Sequence, residues 1–168
     1  SNPRFQFVRK FVDISTTETT MTLEALAPSA GAAGADGDLV LQMDIEGAEY
    51  RVLASTPDEF LMRFRIIVIE FHGLDQLFSR FAFDFMRPVF EKLARLHNVV
   101  HIHPNNCTRV VNRGPITIPP VMEFTFYRRD RPLADAPAEL RFPHPLDADC
   151  VADRPTIALP DCWWRGDM

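Results

Sequence analysis

The chain has 168 residues, 46% of them hydrophobic and 24% charged, a profile that carries one globular core and excludes a disordered tail or a multidomain enzyme. Its 18 basic and 23 acidic residues leave a net charge of −5, and the basic residues are scattered rather than striped, which argues against nucleic acid as a partner. No apolar run approaches the roughly 20 residues that cross a bilayer, and the start lacks the basic-then-apolar layout of a secretory leader, so the expected location is cytoplasmic with no membrane contact.

In chain order, Phe5 to Ile14 alternates apolar and polar residues and predicts a strand, and Met21 to Ala27 predicts a short helix. Pro28 to Gly37 is small-residue and glycine-rich, with nothing to pack, and predicts a mobile loop. Leu39 to Met43 is an apolar strand that runs into the acidic turn Asp44-Ile45-Glu46-Gly47, after which Ala48 to Ala54 has helical spacing. Thr56, Pro57 and Glu59 read as a capping box that opens a helix ending near Phe64.

Arg65 to Phe71 has consecutive β-branched residues without alternation, which predicts a strand covered on both faces. Leu74 to His97 runs helically, with Phe83, Met86, Phe90 and Leu93 on one face and a kink or restart expected at Pro88. Asn98 to His103 and Val121 to Arg128 are the remaining strands; Met122, Phe124 and Phe126 share one face of the latter. The connection between them holds Gly114, Pro115, Pro119 and Pro120, which favours a loop over a crossover helix and makes the last strand antiparallel to its neighbours. The alternation of strands and helices predicts an α/β layered domain with a mostly parallel sheet.

Six of the 14 prolines fall in the last 37 residues, where no period persists, and that segment is expected to lie as an extended tail over the body. Trp163-Trp164 is read as part of its clamp onto that body. Cys107, Cys150 and Cys162 are too widely spaced for a zinc site or a redox dithiol and are read as free thiols.

Ligands of such sheets bind beyond the carboxyl ends of the strands. Three strands here end in polar clusters: Asp44, Glu46 and Glu49; then Glu70 and His72; then His101, His103, Asn105 and Asn106. Singly, these residues also serve as helix caps, turn formers and satisfied core groups. Together, Asp44, Glu46, Glu70, His72 and His103 offer either oxygen and nitrogen ligands for a divalent ion or a general base with its orienting partner. The metal is the less favoured of the two, and no metal ligand is assigned. There is no GxSxG, no cysteine beside a histidine at telling spacing, and no phosphate-binding loop.

The segment DLVLQMDIEGAEYRVL (Asp38 to Leu53) resembles the FkbM-type S-adenosylmethionine-dependent methyltransferases, whose signature is an apolar strand running into D-[IV]-E-G-A-E and a helix. The likeness continues through IIVIEFHGLDQLF, HIHPNNC, PPVMEFTFYRRD and FPHPLDADCVADRP, in order. It implies a Rossmann-like class I methyltransferase sheet in which this chain supplies the fourth to seventh strands. Residues 1–131 would form a partial methyltransferase domain, and 132–168 the proline-rich tail packed on it. The cofactor-holding N-terminal half is expected to be missing: 38 residues precede Leu39, against about 90 for three βα units of about 30 residues.

The resemblance implies O-methyl transfer from S-adenosylmethionine to a small-molecule or sugar hydroxyl. Asp44 and Glu46 would border the transfer site, with Asp44 toward the cofactor; Glu70, His72 and His103 would act as base or orienting groups; Glu49, Asn105 and Asn106 would meet the substrate. The isolated chain is expected to be inactive and to bind no S-adenosylmethionine in the micromolar range by calorimetry. The competing expectation is a non-catalytic interaction module that dimerises or docks through an open sheet edge.

Overall fold

The computed structural model describes residues 5–27, 38–133 and 142–163. β1 (Phe11–Val12) pairs in parallel with β2 (Thr20–Met21), and Thr22 caps α1 (Leu23–Leu26) by accepting from the Ala25 amide. The strand expected from Phe5 to Ile14 is thus reduced to two residues. Alternation makes a strand only where a sheet receives its apolar side, and Phe5 and Phe7 are more than 80% exposed with no sheet beside them. The glycine-rich stretch read as a loop lies outside the described residues.

Among the described residues the main sheet has four strands: β3 (Leu39–Met43), β4 (Phe64–His72), β5 (His97–Pro104) and β8 (Val121–Arg128), in the order β3-β4-β8-β5. β3 and β4 are parallel, and β8 runs antiparallel to both β4 and β5. Three strands therefore point one way, as the sequence predicts. Because the reversed strand sits inside the sheet, two of the three ladders are antiparallel, and the sheet is mixed rather than mostly parallel. The expected loop before β8 carries a small hairpin, β6 (Val111–Arg113) and β7 (Ile116–Ile118), turned at Gly114 with φ 59°.

α2 (Glu49–Ser55), α3 (Asp58–Leu61) and α4 (Arg80–Leu96) complete the layer. Tyr50 and Phe90 bring α2 and α4 against Phe71 of β4 at ring separations of 5.3 and 4.7 Å, and Phe71 meets Phe124 of β8 at 5.6 Å. Around this aromatic knot lie Leu53, Leu61, Ile67, Ile69, Leu93, Met122 and Phe126, all 1% exposed or less. Lys92 of α4 donates to the carbonyls of Leu53, Ala54 and Thr56, placing a cation at the carboxyl end of α2, where the helix dipole favours it.

Only one face of β4 is fully covered. Ile67, Ile69 and Phe71 are buried, whereas Ile66, Val68, Glu70 and His72 on the other face are half-buried, and Val40 beside them on β3 is 67% exposed. Coverage on both faces is therefore corrected to coverage on one. The capping box also gives way: Thr56 is buried and its hydroxyl donates to the Val52 carbonyl at the end of α2, so Pro57 takes the N-cap position and α3 stops at Leu61.

The run from Leu74 to His97 divides into a 3-10 turn (Leu74–Phe78) and α4, separated by the extended backbone of Ser79. α4 passes through Pro88 without restarting. Pro88 lies on its exposed side, where water can take the carbonyl of residue 84 that loses its helical donor.

At the amino end of the sheet, Arg128, only 6% exposed, binds Asp38 at 2.7 Å, Asp130 at 2.6 Å and the Met62 carbonyl at 2.6 Å. Arg131 joins Asp38 at 2.7 Å, and its guanidinium is the main cause holding the Asp38 carboxyl below its ordinary range. His97, wholly buried, is pushed below its usual pKa by desolvation, and its Nε2 lies 2.9 Å from the Phe64 carbonyl.

Residues 142–163 lie against the strand ends. Trp163 Nε1 donates to the Thr117 carbonyl at 3.0 Å, and its ring meets Phe124. No helix among the described residues is long and apolar enough to cross a membrane. Cys107, Cys150 and Cys162 are free.

Candidate active site

Since β3, β4 and β5 point the same way, their carboxyl ends share one edge of the sheet. The structure divides the predicted constellation there into two groups.

The first is an acidic cup at the ends of β3 and β4. The chain leaves β3 at Met43 and turns through Glu46 (φ 56°) and Gly47 (φ 96°) before α2 begins. Both sit in the left-handed region, which suits Gly47 and costs Glu46 on the order of 1 kcal/mol. Glu49 holds this turn together: its Oε1 accepts from the amides of Ile45 (3.0 Å) and Gly47 (3.2 Å), and its side chain is wholly buried. The same oxygen lies 3.2 Å from His72 Nδ1.

His72 Nε2 points the other way, to Glu46 Oε2 at 3.5 Å and Asp44 Oδ1 at 3.9 Å. Tyr50 Oη donates to the His72 carbonyl at 3.0 Å and pins the end of β4 to α2. Burial, with Glu49 adding to it, raises the Tyr50 pKa and keeps the phenol protonated for that bond. Glu70 completes the cup, with Asn105 Nδ2 donating to its Oε1 at 2.6 Å. Among the described residues no lysine or arginine forms an ion pair with Asp44, Glu46, Glu49 or Glu70.

The second group is a latch for residues 142–163. His101 Nε2 lies 2.8 Å from Asp147 Oδ1, and His103 Nδ1 lies 3.4 Å from Asp147 Oδ2. Asn106, 2% exposed, donates through Nδ2 to the carbonyls of Val151 and Arg154 and accepts from the Val151 amide at 2.8 Å. His103 stands level with Glu123, which in turn stands level with Glu70. Two strand spacings thus separate His103 from Glu70, about 10 Å.

Asp44, Glu46, Glu70 and His72 therefore come together as predicted, and His103 does not join them. Of the three residues expected at the substrate, Asn105 reaches the cup through Glu70, Glu49 lies buried beneath it, and Asn106 is spent on the latch. Asp147 and Tyr50 were not singled out from the sequence. Asp147 lies 46 residues from its partner His101, and nothing local signals the pairing.

The family described as methyltransferase FkbM domain matches residues 4–96, more than half of the chain. The match takes in the acidic turn, Glu49, Glu70 and His72 and ends at the close of α4, before the latch residues. No curated protein and no solved structure matches the chain. With the acidic turn and the residues that organise it inside the matched span, the chain belongs to the FkbM methyltransferase family.

Proposed function

We propose that the chain belongs to an O-methyltransferase of the FkbM type and that the acidic cup receives the acceptor hydroxyl of a small molecule or sugar. The observation that carries this reading is the locked His72, whose Nδ1 faces buried Glu49 while Nε2 faces Glu46 and Asp44 at the mouth. Glu46 is the proton acceptor. Its carboxylate is 86% exposed, on a left-handed residue that lifts it clear of the turn, and it lies where an incoming O–H can donate to it. Asp44 and Glu70 accept neighbouring hydroxyls of the same acceptor.

The family generally uses S-adenosylmethionine as methyl donor. The described residues do not fit its nucleotide. Their glycines, Gly47, Gly73 and Gly114, stand one in each of three separate turns, and none is a close approach that an added Cβ would block. No glycine-rich cradle follows a strand among them. We accordingly assign only the acceptor side of the reaction to these residues and infer that donor binding draws on others.

The test is methyl transfer by the full product of the gene from radiolabelled S-adenosylmethionine to a panel of sugar and small-molecule hydroxyls. An O-methylated product is expected, with turnover falling about 10²–10⁴-fold in Glu46→Gln. A product methylated on nitrogen or carbon, or undiminished turnover in that variant, would sink the reading.

One observation favours a second reading, a docking module. Among the described residues β3 pairs only with β4 and leaves its other edge open beside the exposed Val40. That reading expects a dimer mass by light scattering at high protein concentration, and a monomer mass throughout would remove it.

A further inference from the structure

Glu49 Oε1 already accepts two amide hydrogens. As a carboxylate oxygen it can only accept a third, so the hydrogen between it and His72 belongs to Nδ1. On the other side of the ring, Nε2 faces carboxylate oxygens, Glu46 at 3.5 Å and Asp44 at 3.9 Å. No donor sits between them among the described residues. One ligand atom each from Asp44, Glu70 and His72 lie within 4.8 Å of one another. Coordination bonds of about 2.0–2.2 Å place opposite ligands about 4.2 Å apart, so modest side-chain rotation gathers the three around one ion.

Two of the three ligands have their second atom held. Asn105 holds Glu70 Oε1 at 2.6 Å and leaves the other oxygen, while Glu49 holds His72 Nδ1. This is the outer-shell pattern that fixes a metal-binding imidazole in the right tautomer. Beneath it, Glu49 Oε2 is buried with no hydrogen-bond partner among the described residues, on a side chain with no exposure. Four carboxylates thus surround one imidazole without a lysine or arginine ion pair, and one of their oxygens is orphaned in the interior. A divalent charge at the mouth offsets the excess of negative charge.

We propose that Asp44, Glu70 and His72 Nε2 hold a divalent cation of the magnesium and manganese class. Two carboxylates with one imidazole are a hard donor set with one borderline member. Asp44, with 45% of its side chain exposed, leaves the outer side of the ion open to water or to an acceptor oxygen. The ion resolves a mismatch in the acceptor reading. An ordinary carboxylate is too weak a base for a free hydroxyl, with reference pKa values of about 4.3 against about 16, and a cation on the oxygen lowers that gap. Ion binding itself stands apart from the methyl-transfer reading; only the ion's role toward the acceptor rests on it.

The test uses the chelator-treated chain titrated with manganese chloride, with neither donor nor acceptor present. Free ion is followed by electron paramagnetic resonance and heat by calorimetry. One saturable ion per chain is expected. Glu70→Gln and His72→Ala should each weaken it at least tenfold, and Glu49→Gln, which keeps an acceptor for Nδ1 but removes the charge behind the imidazole, about 10-fold. Asp147→Asn, at the latch, should leave it unchanged. Circular dichroism matching the parent establishes that Glu70→Gln is folded. Absence of saturable binding, or binding equal in Glu70→Gln and His72→Ala to that of the parent, overturns the proposal. Manganese binding without methyl transfer would sink the functional reading and leave this one standing.

Discussion

Replacing Phe71 with alanine is expected to lower the unfolding free energy by about 3–5 kcal/mol, a large share of the roughly 5–15 kcal/mol that holds a domain together. Phe71 has no exposed surface and joins three elements at once, touching Tyr50 of α2, Phe90 of α4 and Phe124 of β8. The loss combines lost transfer energy with a cavity that three rigid neighbours cannot close. Urea unfolding measures it directly, and Phe71→Leu, which retains much of the volume, should lose far less. A Phe71→Ala midpoint equal to the parent's would show that the aromatic knot does not carry the layer contact. The position also bears on the site, because Phe71 stands between Glu70 and His72 and its anchoring sets the direction of both.

Glu49 should give the second large effect, with a contrast between two substitutions. Glu49→Leu removes the acceptor shared by the amides of Ile45 and Gly47 and by His72 Nδ1. Leaving such donors unpaired costs about 1–3 kcal/mol each where they stay dry. Water can reach the exposed turn and return part of that, so a net loss of about 2–4 kcal/mol is expected. The substitution also abolishes a buried carboxylate whose Oε2 has no partner, a relief in the opposite direction that the lost bonds should outweigh. Glu49→Gln keeps an acceptor oxygen in place and should stay within about 1 kcal/mol of the parent. Equal stability of the two variants in chemical denaturation would mean that Glu49 does not hold the turn.

How far the sequence was legible depends on where the physics is local. Leu39 to Met43 reads as a strand because five residues run without a turn former into Asp44 and Gly47, and the structure places β3 on those residues. The two faces of β8 follow from strict alternation, and its reversed direction from the prolines and glycine before it. Local signals mislead where a distant partner decides. Thr56 has the spacing of an N-cap, but its hydroxyl goes back to Val52 because burial in the angle between α2 and α3 leaves that carbonyl within reach. Phe5 to Ile14 alternates like a strand and lacks the sheet that would make it one.

The site shows the same division. Asp44, Glu46 and Glu49 share a six-residue turn, and Glu70 and His72 share a strand face, so both pairings lie within reach of sequence spacing. That β3 lies beside β4 follows from the short α/β connection. The separation of His103 from the cup comes from β8 wedging between β4 and β5, and nothing in either strand's own residues announces that order. The recruitment of His101 and His103 by Asp147 is likewise a contact across 46 residues of chain for the former.

The wedged position of β8 also governs how the molecule can assemble. Among the described residues β5 joins the main sheet only through β8, and β8 is the last of the four strands to be synthesised. A ribosome-bound chain that has reached the end of β5 displays two unzipped strand edges, and neither can pair until residues 121–128 have emerged. Pairings of such sequence separation are slow to form and leave nascent edges open to foreign strands. The stretch matched by the family, residues 4–96, is therefore not a unit that completes its own sheet, and its cotranslational folding waits on the arrival of β8.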